Sequence, residues 1–206
     1  MREYHKIHSV WKRDSKGRFT DEFSTKEIGF LHSCQWVGTE KVDGMNIRIG
    51  KEYGKISIAG KTDRAQILPE LYEVLLVIGK LADKHIDAKD FILFGEGYGN
   101  KIQKAGKNYI SDNVDFILFD VFIGGYWLKR EDVDQIAKDI HVKSVPVVWS
   151  GNITQAAHFV SDGFDSTLAD AKAEGLVLEP KTQLYTRTGH RIITKLKTKD
   201  FNNDLR

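Results

Sequence analysis

Cysteine is almost missing from this 206-residue chain, which holds Cys34 alone. That excludes an internal disulfide framework and every zinc site built from clustered cysteines. Proline is scarce, at three residues, and there is no Ser/Gly or Gln/Asn tract. A disordered chain and a flexible inter-domain linker are therefore not expected. No stretch approaches the ~20 apolar residues of a membrane span, and the opening MREYHKIHSVWKRD has no apolar signal core. These absences point to a soluble cytoplasmic protein. A chain of this length buries roughly 70% of its unfolded surface, enough to fold without a structural metal. A single domain over residues 1–206 is expected.

Charge is plentiful but unevenly placed. The net value of +2 hides Arg2, Lys6, Lys12, Arg13, Lys16 and Arg18 against Glu3 and Asp14 in the first 20 residues. From Lys181 to Lys199 there are six basic residues and no acidic one. Lys101, Lys104 and Lys107 form a third group in a Gly-containing loop. Each run by itself reads as a solvated surface; together they suit a polyphosphate partner.

Periodicity divides the chain without revealing a repeat. Asn46 to Gly50 alternates, with Ile47 and Ile49 on one face and Asn46 and Arg48 on the other, as in a half-buried strand. Lys55 to Ala59 follows a short Gly-containing turn and completes a hairpin. Pro69 opens a helix to about residue 84, carrying Leu71, Val74, Leu75, Ile78 and Leu81 at helical spacing. A second helix is expected over about residues 130–140, and a third region over 154–173, interrupted near Gly163. The runs FILFG (91–95), DFILFDVFI (115–123), HVKSVPVVW (141–149), GLVLEP (175–180) and RIITKLK (191–197) read as strands. Their hairpin-like order favours an α+β fold on antiparallel sheets.

The segment TEKVDGMNIRI places Lys41 two residues before an Asp-Gly turn, at the mouth of a strand. A neutral lysine amine is a good nucleophile, but its ordinary pKa of about 10.4 requires nearby cations or desolvation to free it. Alone, K-x-D-G reads as a turn beside a surface lysine. Four further segments alter that balance: Glu96 within FGEGYG, Phe119 within FILFDVF, Glu174 within EGLVLEP, and Lys195 and Lys197 within RIITKLK. The first three have ordinary readings, as a strand terminus, a core ring and a helix-to-strand junction. The lysine pair does not, because period two sets two like charges on one face of a strand otherwise fit for burial. Facing an anion would explain them.

In that order, Lys41-Val-Asp-Gly, Glu96, Phe119, Glu174-Gly and Lys195-Leu-Lys197 resemble motifs I, III, IIIa, IV and V of the covalent nucleotidyltransferases, the superfamily of DNA ligases, RNA ligases and capping enzymes. Glu40 directly before the lysine, Asn46, GKTDRAQI and FGEGYGNKIQKAGKNY are most similar to phage-type ATP-dependent RNA ligases. The resemblance covers nearly the whole chain.

It implies an antiparallel-sheet, ATP-grasp-like adenylation domain with flanking helices. Only nine residues follow Lys197, so no C-terminal OB domain is expected, and a substrate clamp would be weak, unnecessary or supplied by a partner protein. By the same resemblance Lys41 attacks the α-phosphate of ATP and holds AMP, and Lys195 and Lys197 stabilise the charge that develops. Glu174 and Glu96 help position Mg²⁺ or Mn²⁺, and the motif III carboxylate also holds ribose hydroxyls. Phe119 stacks on adenine, Glu40 accepts from its exocyclic amine, and Asn46 contacts phosphate. AMP then passes to a 5′-phosphate, and a 3′-hydroxyl displaces it. Lys61 stands where the family usually has a phosphate-gripping arginine, with Arg64 three residues on as the competing candidate. The basic groups at Lys12 to Arg18 and Lys101 to Lys107 become candidates for the RNA backbone. A minimal DNA ligase, a capping guanylyltransferase and a noncatalytic nucleic-acid-binding relic are the alternatives. Glu40 and the missing OB domain count against capping, Asn46 favours RNA over DNA, and the four catalytic side chains together count against a relic.

Overall fold

The computed structural model describes residues 1–201. The chain divides into two compact units, one inserted in sequence within the other. The split unit comprises Lys6–Val42 together with the chain from Pro146 onward, and the insert unit comprises Asp43–Val145 with Met1–His5. In chain order, the split unit contributes β1 (His8–Ser9), β2 (Trp11–Arg13), β3 (Phe19–Phe23), α1 (Lys26–Leu31) and β4 (Trp36–Glu40). The insert unit follows with β5 (Met45–Glu52), β6 (Lys55–Gly60), α2 (Pro69–His85), β7 (Phe91–Gly99) and α3 (Gly106–Tyr109). It continues with β8 (Val114–Ile123), β9 (Tyr126–Trp127), α4 (Arg130–Asp139) and β10 (Lys143–Ser144). The split unit resumes with β11 (Val147–Gly151), α5 (Ile153–Ser161), β12 (Gly175–Pro180), β13 (Thr194–Lys197) and a 3₁₀ turn at Thr198–Asp200. The architecture is α+β and its sheets are mainly antiparallel, as the strand pattern implies.

The insert unit is a sheet in the order β10-β8-β7-β5-β6, with β9 beside β8. All its pairings are antiparallel except β10 with β8. Helix α2 lays Leu71, Leu75, Ile78 and Ala82 into a core shared with Ile47, Ile49, Leu93, Phe116 and Leu118. Each buried Leu or Ile is worth roughly 1.5–3 kcal/mol of transfer free energy, which holds the helix to the sheet. Strand β5 is not half-exposed, because Arg48 on its polar face is fully buried. Its guanidinium donates to the carbonyls of Gly60 at 2.8 Å, Met1 at 3.0 Å and Arg2 at 3.3 Å, and to Asp63 at 2.8 Å. One cation thus fixes the chain start and the turn after β6. A second tie joins the Met1 ammonium to Glu52 at 3.3 Å.

The split unit builds the sheet β1-β13-β12-β4-β11 from segments far apart in sequence. Its core gathers Val10, Ile28, Trp36, Ile153, Ala156, Val160, Leu176, Leu178 and Leu196. β1 runs parallel to β13, with Ser9 opposite Lys195, and Thr194 Oγ1 donates to the His8 carbonyl at 2.9 Å. The basic N-terminal segment is thereby laid along the strand of the paired lysines.

Several sequence expectations change. The run 141–149 is two strands in different sheets, β10 and β11, divided at Val145-Pro146, where proline has no N–H for a ladder. Helix α5 ends at Ser161, and Gly163 beyond it has φ +73°. Residues 162–174 are therefore a loop rather than a second helical half. In RIITKLK only Thr194–Lys197 is strand. Among the described residues no helix is long and apolar enough to cross a membrane.

Candidate active site

Three strands of the split unit assemble a cluster of charge. Lys41 follows β4, and its backbone N–H donates to the Gly175 carbonyl at 2.9 Å. β12 lies between β4 and β13, with Leu176 opposite both Glu40 and Leu196, and Val177 opposite Thr39 and Lys195. Glu174 is the residue just before β12, and Gly175 opposes Lys197. Gly175 has φ +150°, and a Cβ there would collide with the Leu196 carbonyl. A glycine after Glu174 is thus required for β13 to approach so closely.

The Lys41 Nζ lies 2.6 Å from Glu174 Oε2, and the Lys197 Nζ 2.6 Å from Glu174 Oε1. The three side chains are only 14–22% exposed. Burial alone would raise the Glu174 carboxyl pKa, but the adjacent Lys41 charge and the hydrogen bonds from Lys197 and Lys41 prevail and hold it below the ordinary carboxylate range. Two ammonium groups share one carboxylate, so the cluster carries a surplus positive charge. Lys195 is two residues from Lys197 and on the same face of β13.

Glu40, the expected adenine contact, ends β4 directly before Lys41. It is 1% exposed, and both carboxylate oxygens are engaged within the unit. Ser166 Oγ donates to Oε1, while the Thr167 N–H and Oγ1 donate to Oε2 at 2.8 and 2.7 Å. Ser166 Oγ in turn accepts from the N–H groups of Leu168 and Ala169, each at 3.0 Å. A buried carboxylate needs such donors, and here they pin the loop after α5. Neither Ser166 nor Thr167 is legible in the sequence as a partner of Glu40, since no local pattern relates residues more than 120 positions apart.

The insert unit holds the remaining candidates. Glu96 sits in the middle of β7 rather than at its end, paired in register with Asn46 on β5 and Ile117 on β8. Asn46 Oδ1 is buried without a hydrogen-bond partner among the described residues, an acceptor left open beside that register position. The Asp-Gly turn is held from the FGEGYGNKIQKAGKNY segment. The Asp43 N–H donates to Tyr109 Oη at 3.1 Å, and Gln103 Nε2 donates to the Gly44 carbonyl at 3.3 Å. A Cβ at Gly44 would strike the Gly97 carbonyl and lie 2.8 Å from Glu96 Cγ. The motif glycine is required by this close approach.

Phe119 lies at a bulge of β8. Asp120 pairs with Phe94 and Leu118 with Gly95, leaving Phe119 the extra residue, a device that re-aims a side chain. Its half-buried ring meets Tyr4 edge-on at 5.1 Å. Lys61 and Arg64 are both exposed on the turn after β6, and neither forms an ion pair among the described residues. Lys101 pairs with Glu70 at 3.6 Å, while Lys104 and Lys107 are exposed. Among the described residues no three His, Cys, Asp or Glu side chains gather as a metal cage.

Comparison with known proteins bears on what this arrangement belongs to. A family model described as RNA ligase matches residues 34–197. A search of curated proteins returned no match. Among solved structures, a Naegleria gruberi RNA ligase variant with ATP and Mn superposes with a TM-score of 0.67 at 17% identity, covering 86% of this chain and 54% of its own. The Naegleria gruberi RNA ligase with PPi gives 0.67 at 17% identity over 98% and 64%, and a variant with AMP and Mn gives 0.66 at 17% over 97% and 63%. This chain therefore spans less than two thirds of the length of those proteins, and at such identity the likeness establishes a common fold. The family match goes further, because it takes in both units and runs from just before β4 to the last lysine of β13; this protein belongs to the RNA ligase family.

Proposed function

We propose that the protein is an ATP-dependent RNA ligase in which Lys41 carries AMP and delivers it to a 5′-phosphate. The observation that carries this reading is the Lys41–Glu174–Lys197 cluster, a primary amine and a second cation joined to one carboxylate. Covalent nucleotidyl transfer needs a nucleophile beside charge that compensates the phosphoryl oxygens.

Lys41, once its amine is unprotonated, forms an N–P bond to the α-phosphorus as the α–β phosphoanhydride P–O bond breaks. The electron pair of that bond leaves with pyrophosphate. Negative charge gathers on the phosphoryl oxygens, and Lys195 and Lys197 are suited to stabilise it from a fixed strand. A 5′-phosphate oxygen of RNA then attacks the same phosphorus and the N–P bond breaks, returning the amine. Finally a 3′-hydroxyl attacks the 5′-phosphate and AMP departs. Phe119 offers the base a stacking face, Asn46 a side-chain amide for a phosphate contact, and Lys61 or Arg64 a cation for the 5′-phosphate.

The carboxylates fit a hydrated Mg²⁺ or Mn²⁺ better than a protein-caged ion, since such an ion keeps several waters and takes further ligands from phosphate. Glu174 is the first candidate to hold it and Glu96 the second. When bound, it would supply positive charge to the phosphate oxygens and favour the neutral amine. For Glu40 the reading is narrower than the sequence suggests. Engaged by Ser166 and Thr167, it positions the strand end next to Lys41, and any adenine contact must share an oxygen already in use.

The test is to incubate the protein with ATP, a divalent cation and a nicked duplex of 5′-phosphorylated and 3′-hydroxyl RNA ends. The expected products are 5′-adenylated RNA and sealed RNA. Sealing confined to an all-DNA nick would favour the DNA ligase alternative, and no adenylate transfer to any end would favour the binding-only alternative.

A further inference from the structure

The split unit carries a basic groove of about 630 Å³, lined along β1, β2 and the end of β13, that shares Lys195 and Lys197 with the chemistry above and otherwise lies outside it. Lys6, Lys12, Arg13, Lys195, Lys197 and Lys199 face it, with His8, and Asp200 is its sole acidic lining residue among the described residues. Ile7 and Trp11 add apolar surface. The parallel pairing of β1 with β13 creates this row, because it sets Ser9 opposite Lys195 and brings the N-terminal cations alongside the motif lysines. Some of the charge is already spent: Lys12 pairs with Glu22 at 2.6 Å, Arg13 with Asp200 at 2.7 Å, and Lys197 with Glu174. Lys6 and Lys199 are exposed and form no ion pair among the described residues.

We infer that this groove binds the sugar-phosphate backbone of an RNA strand and leads it to the Lys41–Glu174 end of the unit, a reading that rests on the ligase function proposed above. Lys197 belongs to both places, since it lines the groove and holds Glu174. The form of the site selects the ligand. A pyrophosphate or triphosphate tail is compact and is best held by donors converging on one point. Here Lys6, His8, Lys12, Arg13 and Lys199 are exposed and spread over the segment before β1, two strands and a turn. A row of solvated cations suits an extended polyanion whose affinity comes from releasing counterions.

The test uses the full chain, a fluorescent 5′-phosphorylated single-stranded RNA and a Lys6→Glu/Lys199→Glu variant. Neither position belongs to the adenylation cluster, and both are exposed, so thermal unfolding should match the wild type. RNA affinity at low salt should fall about 10-fold or more, and the slope of log affinity against log salt should become shallower by about 1.4, two phosphate contacts at 0.7 each. Label transfer from α-labelled ATP to protein should keep its rate and KM. The Lys6→Arg/Lys199→Arg variant should bind RNA as the wild type does. Unchanged RNA affinity and salt slope would overturn the inference, as would a raised ATP KM with unchanged RNA binding, which would assign the groove to the triphosphate. Should wild-type protein take no label from ATP, the ligase reading fails on that measurement, while the RNA titration still decides the groove.

Discussion

The two units use buried charge in opposite ways. In the insert unit Arg48 is wholly enclosed and its donors are met by three carbonyls and Asp63, so its positive charge is consumed in holding the chain start and the turn after β6. In the split unit two ammonium groups meet a single carboxylate, and the side chains keep 14–22% of their surface open. The first arrangement has nothing left to offer a ligand. The second retains net positive charge where an anion can reach it, which separates a structural cation from a chemical one more sharply than burial alone.

Exchanging the charges in each unit should break the comparison if it is false. Lys197→Ala and Lys195→Ala should each slow protein adenylation roughly 10²-fold or more, the usual cost of a preorganised electrostatic contact, with little change in unfolding temperature. Arg48→Met should do the reverse and lower stability by roughly 2–4 kcal/mol, since it leaves buried carbonyls without their donor. Chemical denaturation alongside single-turnover labelling separates the two effects. Collapse of the lysine variants with normal labelling by their folded fraction would make those lysines structural.

Glu40 tests whether the distinction also holds inside the split unit. Like Arg48, it is buried and satisfied, so Glu40→Ala should cost roughly 1–3 kcal/mol by orphaning the Ser166 and Thr167 donors. It should also slow protein adenylation, because the strand end carrying Lys41 is no longer fixed. Unchanged stability would contradict the pinning of the loop. Thr167→Val, which removes one of the three donors, should show a smaller share of both effects.

The smallest effect concerns acid stability. Glu174 has its carboxyl pKa held below the ordinary glutamate value in the folded protein by the Lys41 and Lys197 charges. Its ionised form therefore contributes stability that is complete above the unfolded value and is lost as pH falls through the depressed folded one. Glu174→Gln lacks that component. Its unfolding temperature should decline less steeply than the wild type's as pH falls below the ordinary glutamate value; parallel curves would mean the ion pairs add nothing to the fold.

The same contrast explains what could be read in advance. The insert unit is built largely from neighbours in sequence, and the β5–β6 hairpin, α2 and α4 follow directly from alternation and helical spacing. Even there Glu96 reads as a strand end, because Gly95 and Gly97 read as breakers. They are instead places where Phe116 and Leu71 press against the backbone of a continuing strand. The split unit joins β1 to β13 and β4 to β12 over more than 130 residues. No local period reports such pairings, so β1 to β4 are not legible; the basic runs that form the groove are legible as charge, but their meeting along β1 and β13 is not. Lys41, Glu174 and Lys197 were recognisable by motif order, but their shared carboxylate was not. Arg48 was legible as a polar residue on a strand; that three carbonyls would surround it depends on the chain start folding back, which a sequence pattern does not encode.

The central claim is that Lys41, and no other lysine of its cluster, takes the adenylate. The most direct measurement is to incubate wild-type protein and Lys41→Ala with α-labelled ATP and a divalent cation, then map any AMP adduct by peptide mass spectrometry. The expected result is one AMP on the peptide carrying Lys41, no adduct on Lys41→Ala, and continued sealing by that variant of RNA supplied already 5′-adenylated. An adduct on Lys195 or Lys197, or full labelling of Lys41→Ala, would contradict the account.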